Sequence, residues 1–188
     1  MIKKVCVFCG SSFGKSNIYK QEIEKLGHMI GKKDMELIYG GGNSGLMGVL
    51  SKAVLAEGGQ VTGIIPKKIY DQVDHVELTD LHIVETMHER KNKMYSLADA
   101  FIALPGGIGT LEELAEVFTW QQIGYHEKPV GILNINHFYD PFRDMLLHMV
   151  REGFIKKEFL ENLIVDDNME ELFDQLNKYN PTSSNKWS

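Results

Sequence analysis

Three short turns concentrate glycine beside small polar residues: Cys9-Gly10-Ser11-Ser12-Phe13-Gly14, Gly40-Gly41-Gly42-Asn43-Ser44-Gly45 and Pro105-Gly106-Gly107-Ile108-Gly109-Thr110. Glycine lets backbone N–H groups approach an anion where a β-carbon would collide, and a helix start behind such a turn adds a favourable dipole. A tight strand-to-helix turn asks for glycine on its own account, so a single loop says little. Three of them point to a phosphate-bearing ligand. The second loop fits GxGxxG through Gly40, Gly42 and Gly45, the pattern of a dinucleotide site. An NAD site wants an acidic residue after the next strand, yet Ile65 is followed by Pro66-Lys67-Lys68. Lysines there can meet a 2′-phosphate, which leaves an NADP reading open. The pattern GxxxxGK[ST] is absent, which argues against an ordinary P-loop NTPase.

The third loop runs directly into Leu111-Glu112-Glu113-Leu114. Thr110 and Glu113 have the spacing of a capping box, and Glu112, Glu113 and Glu116 suit the positive end of a helix. The capping box alone would explain both residues, and a catalytic role for Glu113 is the alternative that spacing leaves open. A second concentration of chemistry is Thr86-Met87-His88-Glu89-Arg90-Lys91-Asn92-Lys93-Met94. Thr86 and Glu89 repeat the capping-box spacing. Arg90, Lys91 and Lys93 make either a solvated basic face or a site for an anionic partner, and Arg90 near a helix start gains little from the dipole. His88-Glu89 opens like a zincin motif, but Asn92 occupies the second ligand position and the seven histidines show no ligand spacing. No metal is expected.

These residues need elements to hold them. Short apolar runs alternate with amphipathic stretches of helix length, the rhythm of a parallel sheet wound with helices. Strands are expected at residues 3–8, 35–39, 60–65, 81–84, 100–104, 129–133 and 163–165. Helices are expected at 17–32, 45–57, 87–97, 111–123, 138–152 and 169–179. Phe138, Phe142, Met145, Leu146 and Met149 recur at the three-to-four-residue period of a buried stripe and are expected in the core. In such a sheet all three glycine loops fall on one edge, outside the carboxyl ends of the strands, where ligands bind. Cys6 and Cys9 form a CxxC inside an apolar strand, so their side chains face opposite ways and are expected to be structural.

The 188 residues suit one domain, expected over 1–179, with 180–188 too polar to bury and expected as a flexible tail. With 43% apolar and 24% charged residues the chain is globular in composition, not disordered or collagenous. Its formal charge of −6 repels polyanions, so nucleic acid is not an expected partner and an anionic ligand must be caught locally. No apolar run approaches the roughly 18–20 residues that span a bilayer, and the start is too short for a signal-peptide core. A cytoplasmic protein without a membrane partner is expected.

Four motifs in order resemble the Lonely Guy (LOG) family: Cys9-Gly10-Ser11-Ser12, Tyr39-Gly40-Gly41-Gly42-Asn43-Ser44-Gly45-Leu46-Met47-Gly48, Met87-His88-Glu89-Arg90-Lys91, and Pro105 to Glu113 read as PGGxGTxxE. The resemblance runs from about Val5 to Asn134, and Lys67 to Glu85 looks less like the plant members. It implies a Rossmann-like, doubly wound α/β fold, mainly parallel with helices on both faces. It also implies a homodimer with active sites near the subunit interface. The implied activity is that of a cytokinin riboside 5′-monophosphate phosphoribohydrolase acting on a small nucleoside monophosphate, without a cofactor, and related members are similar to AMP nucleosidases. Carried onto this chain, it makes Arg90 and Glu113 the catalytic pair. It assigns nucleotide binding to Gly10, Ser11, Gly41, Gly42, Asn43, Met87, Lys91, Pro105, Gly106, Gly107, Ile108, Gly109 and Thr110. A non-catalytic nucleotide-binding or carrier protein of the same superfold is the alternative. Such proteins are often labelled lysine decarboxylases, but no lysine here stands in a recognisable Schiff-base setting.

Overall fold

A computed structural model describes residues 1–73 and 77–181. Among these, seven strands form one parallel sheet: β1 (Lys4–Phe8), β2 (Glu36–Tyr39), β3 (Gln60–Pro66), β4 (Asp80–Val84), β5 (Ala100–Ala103), β6 (Val130–Leu133) and β7 (Leu163–Asp166). Their order is β4-β3-β2-β1-β5-β6-β7. The helices are α1 (Asn17–Lys32), α2 (Gly45–Ala56), α3 (Lys67–Tyr70), α4 (Met87–Leu97), α5 (Ile108–Gln122), α6 (Asp140–Arg151), α7 (Lys157–Leu160) and α8 (Met169–Lys178). No helix among the described residues is long and apolar enough to cross a membrane. The expected tail falls mostly on residues 182–188, which lie outside the described residues.

Strands covered on both faces read as continuous apolar runs, and all four residues of both β5 and β6 are buried. Alternation then divides the core in two. Val5 and Val7 face a cluster with Ile23, Leu26 and Ile30 of α1, Leu50 and Val54 of α2, and Leu172, Phe173 and Leu176 of α8. Cys6 and Phe8 face the opposite cluster, with Met94 and Tyr95 of α4, Leu114, Val117 and Phe118 of α5, and Leu146 of α6. Helices therefore cover both faces, as the alternation predicts. Cys9 belongs to the first cluster and Cys6 to the second; both thiols are free, and burial pushes both upward, away from reactive thiolate.

The winding places the site. The chain builds β1 to β4 outward in one direction, then returns through α4 to lay β5 on the other side of β1. A crevice opens where the order reverses, at the carboxyl ends of β1 and β5.

Two expectations about the segment after β6 are corrected. The helix begins at Asp140, not Phe138, because the chain first makes a 3-10 turn at Ile135–His137 in which Asn136 and His137 take positive φ of 53° and 58°. That turn rotates the stripe. Leu146 is buried, Phe142 and Met149 pack at the core margin, and Phe138 and Met145 are 40% and 50% exposed. Asn134 holds the turn: its Oδ1 accepts from the Tyr139 amide (2.7 Å) and its Nδ2 donates to Asp140 (2.7 Å).

Tyr139 in turn donates its hydroxyl to the Leu104 carbonyl at 2.8 Å, tying α6 to the end of β5. Tyr139→Phe strands that buried carbonyl, so we expect a stability loss of about 1–3 kcal/mol in urea unfolding, with the m-value unchanged.

Candidate active site

The three glycine loops leave β2, β1 and β5, which are adjacent at the centre of the sheet. Backbone bonds stitch them together: the Gly10 amide donates to the Pro105 carbonyl (3.1 Å) and the Gly10 carbonyl accepts from the Leu46 amide (3.1 Å). Between them lies a cavity of about 280 Å³ floored by Gly10, Ser11, Pro105, Gly106 and Gly107 and walled by Phe13, Tyr19 and Phe138. Sequence reasoning missed these aromatic walls. Phe13 was visible inside a glycine loop, whereas Phe138 carried only a core-like period. Gly106 makes the closest approach. A Cβ there would overlap Thr110 Oγ1 and stand 2.9 Å from the Gly10 amide nitrogen.

Helix α5 starts at Ile108, three residues earlier than expected, with Gly107 as its N-cap and no side-chain hydrogen bond there. The amide of Leu111 is already bonded to the Gly107 carbonyl (3.1 Å). The amides of Ile108, Gly109 and Thr110 thus have no helical acceptor and point out of the positive end of the dipole. This overturns the capping-box reading of Thr110 and Glu113. Thr110 lies inside the first turn, buried against Gly106, and Glu113 is a turn too deep to serve the helix start.

Glu113 turns instead to Arg90. Arg90 stands in the first turn of α4, whose start is capped by Thr86 Oγ1 accepting from the Glu89 amide (3.1 Å). The Glu89 carboxylate reaches back to the Glu85 amide (3.0 Å), one residue before the position a capping box would use. From this start Arg90 donates through Nη1 to Glu113 Oε1 (2.8 Å) and through Nε to the Ile64 carbonyl (3.2 Å). The two side chains are only 11% and 12% exposed. Burial pushes the Glu113 carboxyl above its ordinary range, and the adjacent guanidinium offsets only part of that rise. The anion that Arg90 called for is therefore a carboxylate of the same chain.

Lys91 is held between Glu112 and Glu116, and Glu116 also accepts from the Tyr95 hydroxyl (2.7 Å). Burial pulls its ammonium down, but the two carboxylates outweigh this and leave it above the ordinary lysine range. Gly41 and Gly42 are buried at the end of β2, and Asn43 lines a separate groove between α1 and α2 beside Lys20 and Lys52. Met87 and Ile108 stand 43% and 81% exposed on the rim, and Ser11 and Gly109 are exposed as well. Burial pulls the Lys128 ammonium below the ordinary lysine range, and it donates to the Tyr95 carbonyl (2.7 Å) at the amino edge of the sheet, away from the glycine loops.

Fold and site together define a doubly wound α/β protein with glycine loops and a buried arginine–carboxylate pair at its switch point. Residues 47–176 match the family described as possible lysine decarboxylase. The chain is 44% identical over 180 residues to the cytokinin riboside 5′-monophosphate phosphoribohydrolase LOG of Oryza sativa subsp. japonica, covering 95% of this chain and 74% of that protein. It is 44% identical to LOG7 of Arabidopsis thaliana, covering 95% and 83%. Among solved structures, the molybdenum cofactor binding protein of Rippkaea orientalis superposes with a TM-score of 0.71 at 20% identity, covering 95% of this chain and 97% of that one. The molybdenum cofactor carrier protein of Chlamydomonas reinhardtii gives 0.70 at 17%, covering 95% and 100%. At those identities the likeness speaks for the fold alone. The chain belongs to the LOG family.

Proposed function

We infer that this protein hydrolyses the N-glycosidic bond of purine nucleoside 5′-monophosphates of the cytokinin type, releasing the free base and ribose 5-phosphate, and that AMP is also a substrate. The observation that carries the reading is the buried Arg90–Glu113 pair, one turn behind the open amides of α5. Residues 1–179 act as one catalytic domain in the cytoplasm, where the thiols of Cys6 and Cys9 stay free.

The 5′-phosphate rests on the amides of Ile108, Gly109 and Thr110, with Gly107 and Gly109 leaving open space beside the backbone and Gly10, Ser11 and Gly106 lining the cavity. Pro105 turns the chain into that loop. Gly41 and Gly42 complete the nucleotide site from the neighbouring strand, while Asn43 stands apart in the groove between α1 and α2, and Met87 offers an apolar contact to the base. Lys91 serves binding by bracing α4 against α5 through Glu112 and Glu116. Remote binding energy at the phosphate then orients the reacting bond. As the bond from C1′ to the base breaks, its electron pair leaves with the base nitrogen, which takes up a proton from solvent. Positive charge develops on the ribose, and Glu113 stabilises it and accepts a proton from the water that adds to C1′. Arg90 holds that carboxylate ionised in a site whose burial favours the neutral acid.

Incubating the protein with AMP and with its N6-prenylated counterpart and chromatographing the products tests this. Free base and ribose 5-phosphate should appear, the nucleoside lacking phosphate should react poorly, and tight binding with no product over hours would favour the carrier reading.

We also propose a homodimer with the sites near the interface, supported by the exposed apolar side chains of Met87 and Ile108 on the same rim. Light scattering should return twice the 21.3 kDa chain mass, and Ile108→Lys should shift the population toward monomer.

A further inference from the structure

We propose that Gly40 is a positioning residue for the catalytic pair: the space left by its missing side chain is the seat of the Arg90 guanidinium. The inference rests on the hydrolase reading above and adds a residue to its machinery.

Gly40 follows β2 directly, and its φ is not in the left-handed region, so the backbone tolerates an L side chain. Neighbouring glycines are required for other reasons. Gly41 and Gly45 have φ of +76° and +57°, which strain any other residue. At Gly40 the obstacle is a side chain. A Cβ would overlap Arg90 Nη2 and lie 3.3 Å from Arg90 Cζ, and the next nearest atom, Met47 Sδ, stands at an ordinary 3.6 Å.

Arg90 cannot step aside freely. Its planar guanidinium is pinned on one edge by the Ile64 carbonyl through Nε and on another by Glu113 through Nη1. Moving Nη2 off Gly40 rotates the plane and lengthens one or both of those bonds. The nearest consequence falls on Glu113, because Arg90 is the largest influence holding that buried carboxyl down. The amides of Ile108, Gly109 and Thr110 belong to a different loop, so binding of the 5′-phosphate should survive the change.

Gly40→Ala should therefore lower kcat by about tenfold or more, the scale of a misplaced catalytic group, while KM stays within about twofold. The acid limb of the pH–rate profile should move to higher pH. Titration of the Glu113 side-chain carboxyl by 13C NMR should show the same upward movement without reference to turnover, so the inference can be judged even if the protein hydrolyses nothing. In an Arg90→Lys background, where no atom occupies the Nη2 position, adding Gly40→Ala should change neither the Glu113 titration nor the residual rate. A merely structural glycine would instead lower the melting temperature and leave the titration and acid limb in place. An unmoved Glu113 titration in Gly40→Ala, or an equal movement in the Arg90→Lys background, overturns the inference. Absence of hydrolysis by the wild-type protein overturns the functional reading instead.

Discussion

Glu113→Gln should lower turnover at least about a hundredfold and leave the fold standing. Glutamine keeps the size of the side chain and an oxygen that can accept from Arg90 Nη1, but it removes the charge. A carboxylate about 4 Å from a unit positive charge gains roughly 4 kcal/mol at an effective dielectric near 20, a gross figure equivalent to about three decades in rate before desolvation is subtracted. Had Glu113 capped its helix, the variant would have tested stability as much as chemistry. With α5 starting at Ile108 and Glu113 bonded to Arg90, no helix-start amide depends on it.

The pH dependence of stability gives an independent check on the same variant. The folded carboxyl titrates above its ordinary 4.5, so between that value and the folded one the native state binds more protons than the unfolded chain. Stability from this group is fully present below 4.5 and is lost as pH rises through the folded value. Glutamine does not titrate. The variant carries a pH-independent cost for leaving the Arg90 guanidinium without its anion, but relative to wild type it should gain ground as pH rises through that window. Urea midpoints measured across pH 4 to 8 read this directly, and parallel curves would mean that Glu113 is not buried as an ionised group.

Much of this architecture was legible in the chain because central parallel strands buried on both faces leave uninterrupted apolar runs, three of them closed by a glycine turn. The starts of α1 and α4 coincide with N-capping side chains, Ser16 and Thr86. Elements of four residues, α3 and α7, span about one turn and are too short for a helical period to repeat. The start of α5 was hidden by a coincidence of spacing. Thr110 and Glu113 satisfy a capping pattern, but Gly106 and Gly107 let the backbone turn into the helix earlier, and tertiary contacts with Gly106 and Arg90 claimed both side chains. Arg90 and Glu113 each stood out singly, one for sitting against the dipole and one for following the loop. That they meet depends on α4 crossing back to begin the second half of the sheet, a long-range fact that no local window holds. The misreading of Phe138 has the same origin: two residues of positive φ rotate the chain before α6, and periodicity cannot anticipate them.

Arg90→Ala is expected to cost about two to three decades in kcat/KM and to weaken the fold at the same time, so the two effects must be separated. Removing one member of a buried ion pair leaves the other uncompensated, typically at about 3–5 kcal/mol, and both side chains are nearly nine-tenths covered here. Without its guanidinium the Glu113 carboxyl rises further, so the variant approaches wild-type stability as pH falls and the carboxyl takes up its proton. The acid limb of activity should move the opposite way along the axis, toward higher pH, because the ionised form is scarcer. Stability and activity thus respond in opposite senses to acid, which a general folding defect cannot produce. The double variant Arg90→Ala with Glu113→Gln completes the argument. Neutralising both partners removes the uncompensated charge, so the double variant should be more stable than Arg90→Ala alone, yet it should hydrolyse no faster than either single variant. Recovery of stability without recovery of turnover would assign the pair's charges to chemistry, whereas a parallel recovery of both would reduce the pair to a strut between α4 and α5.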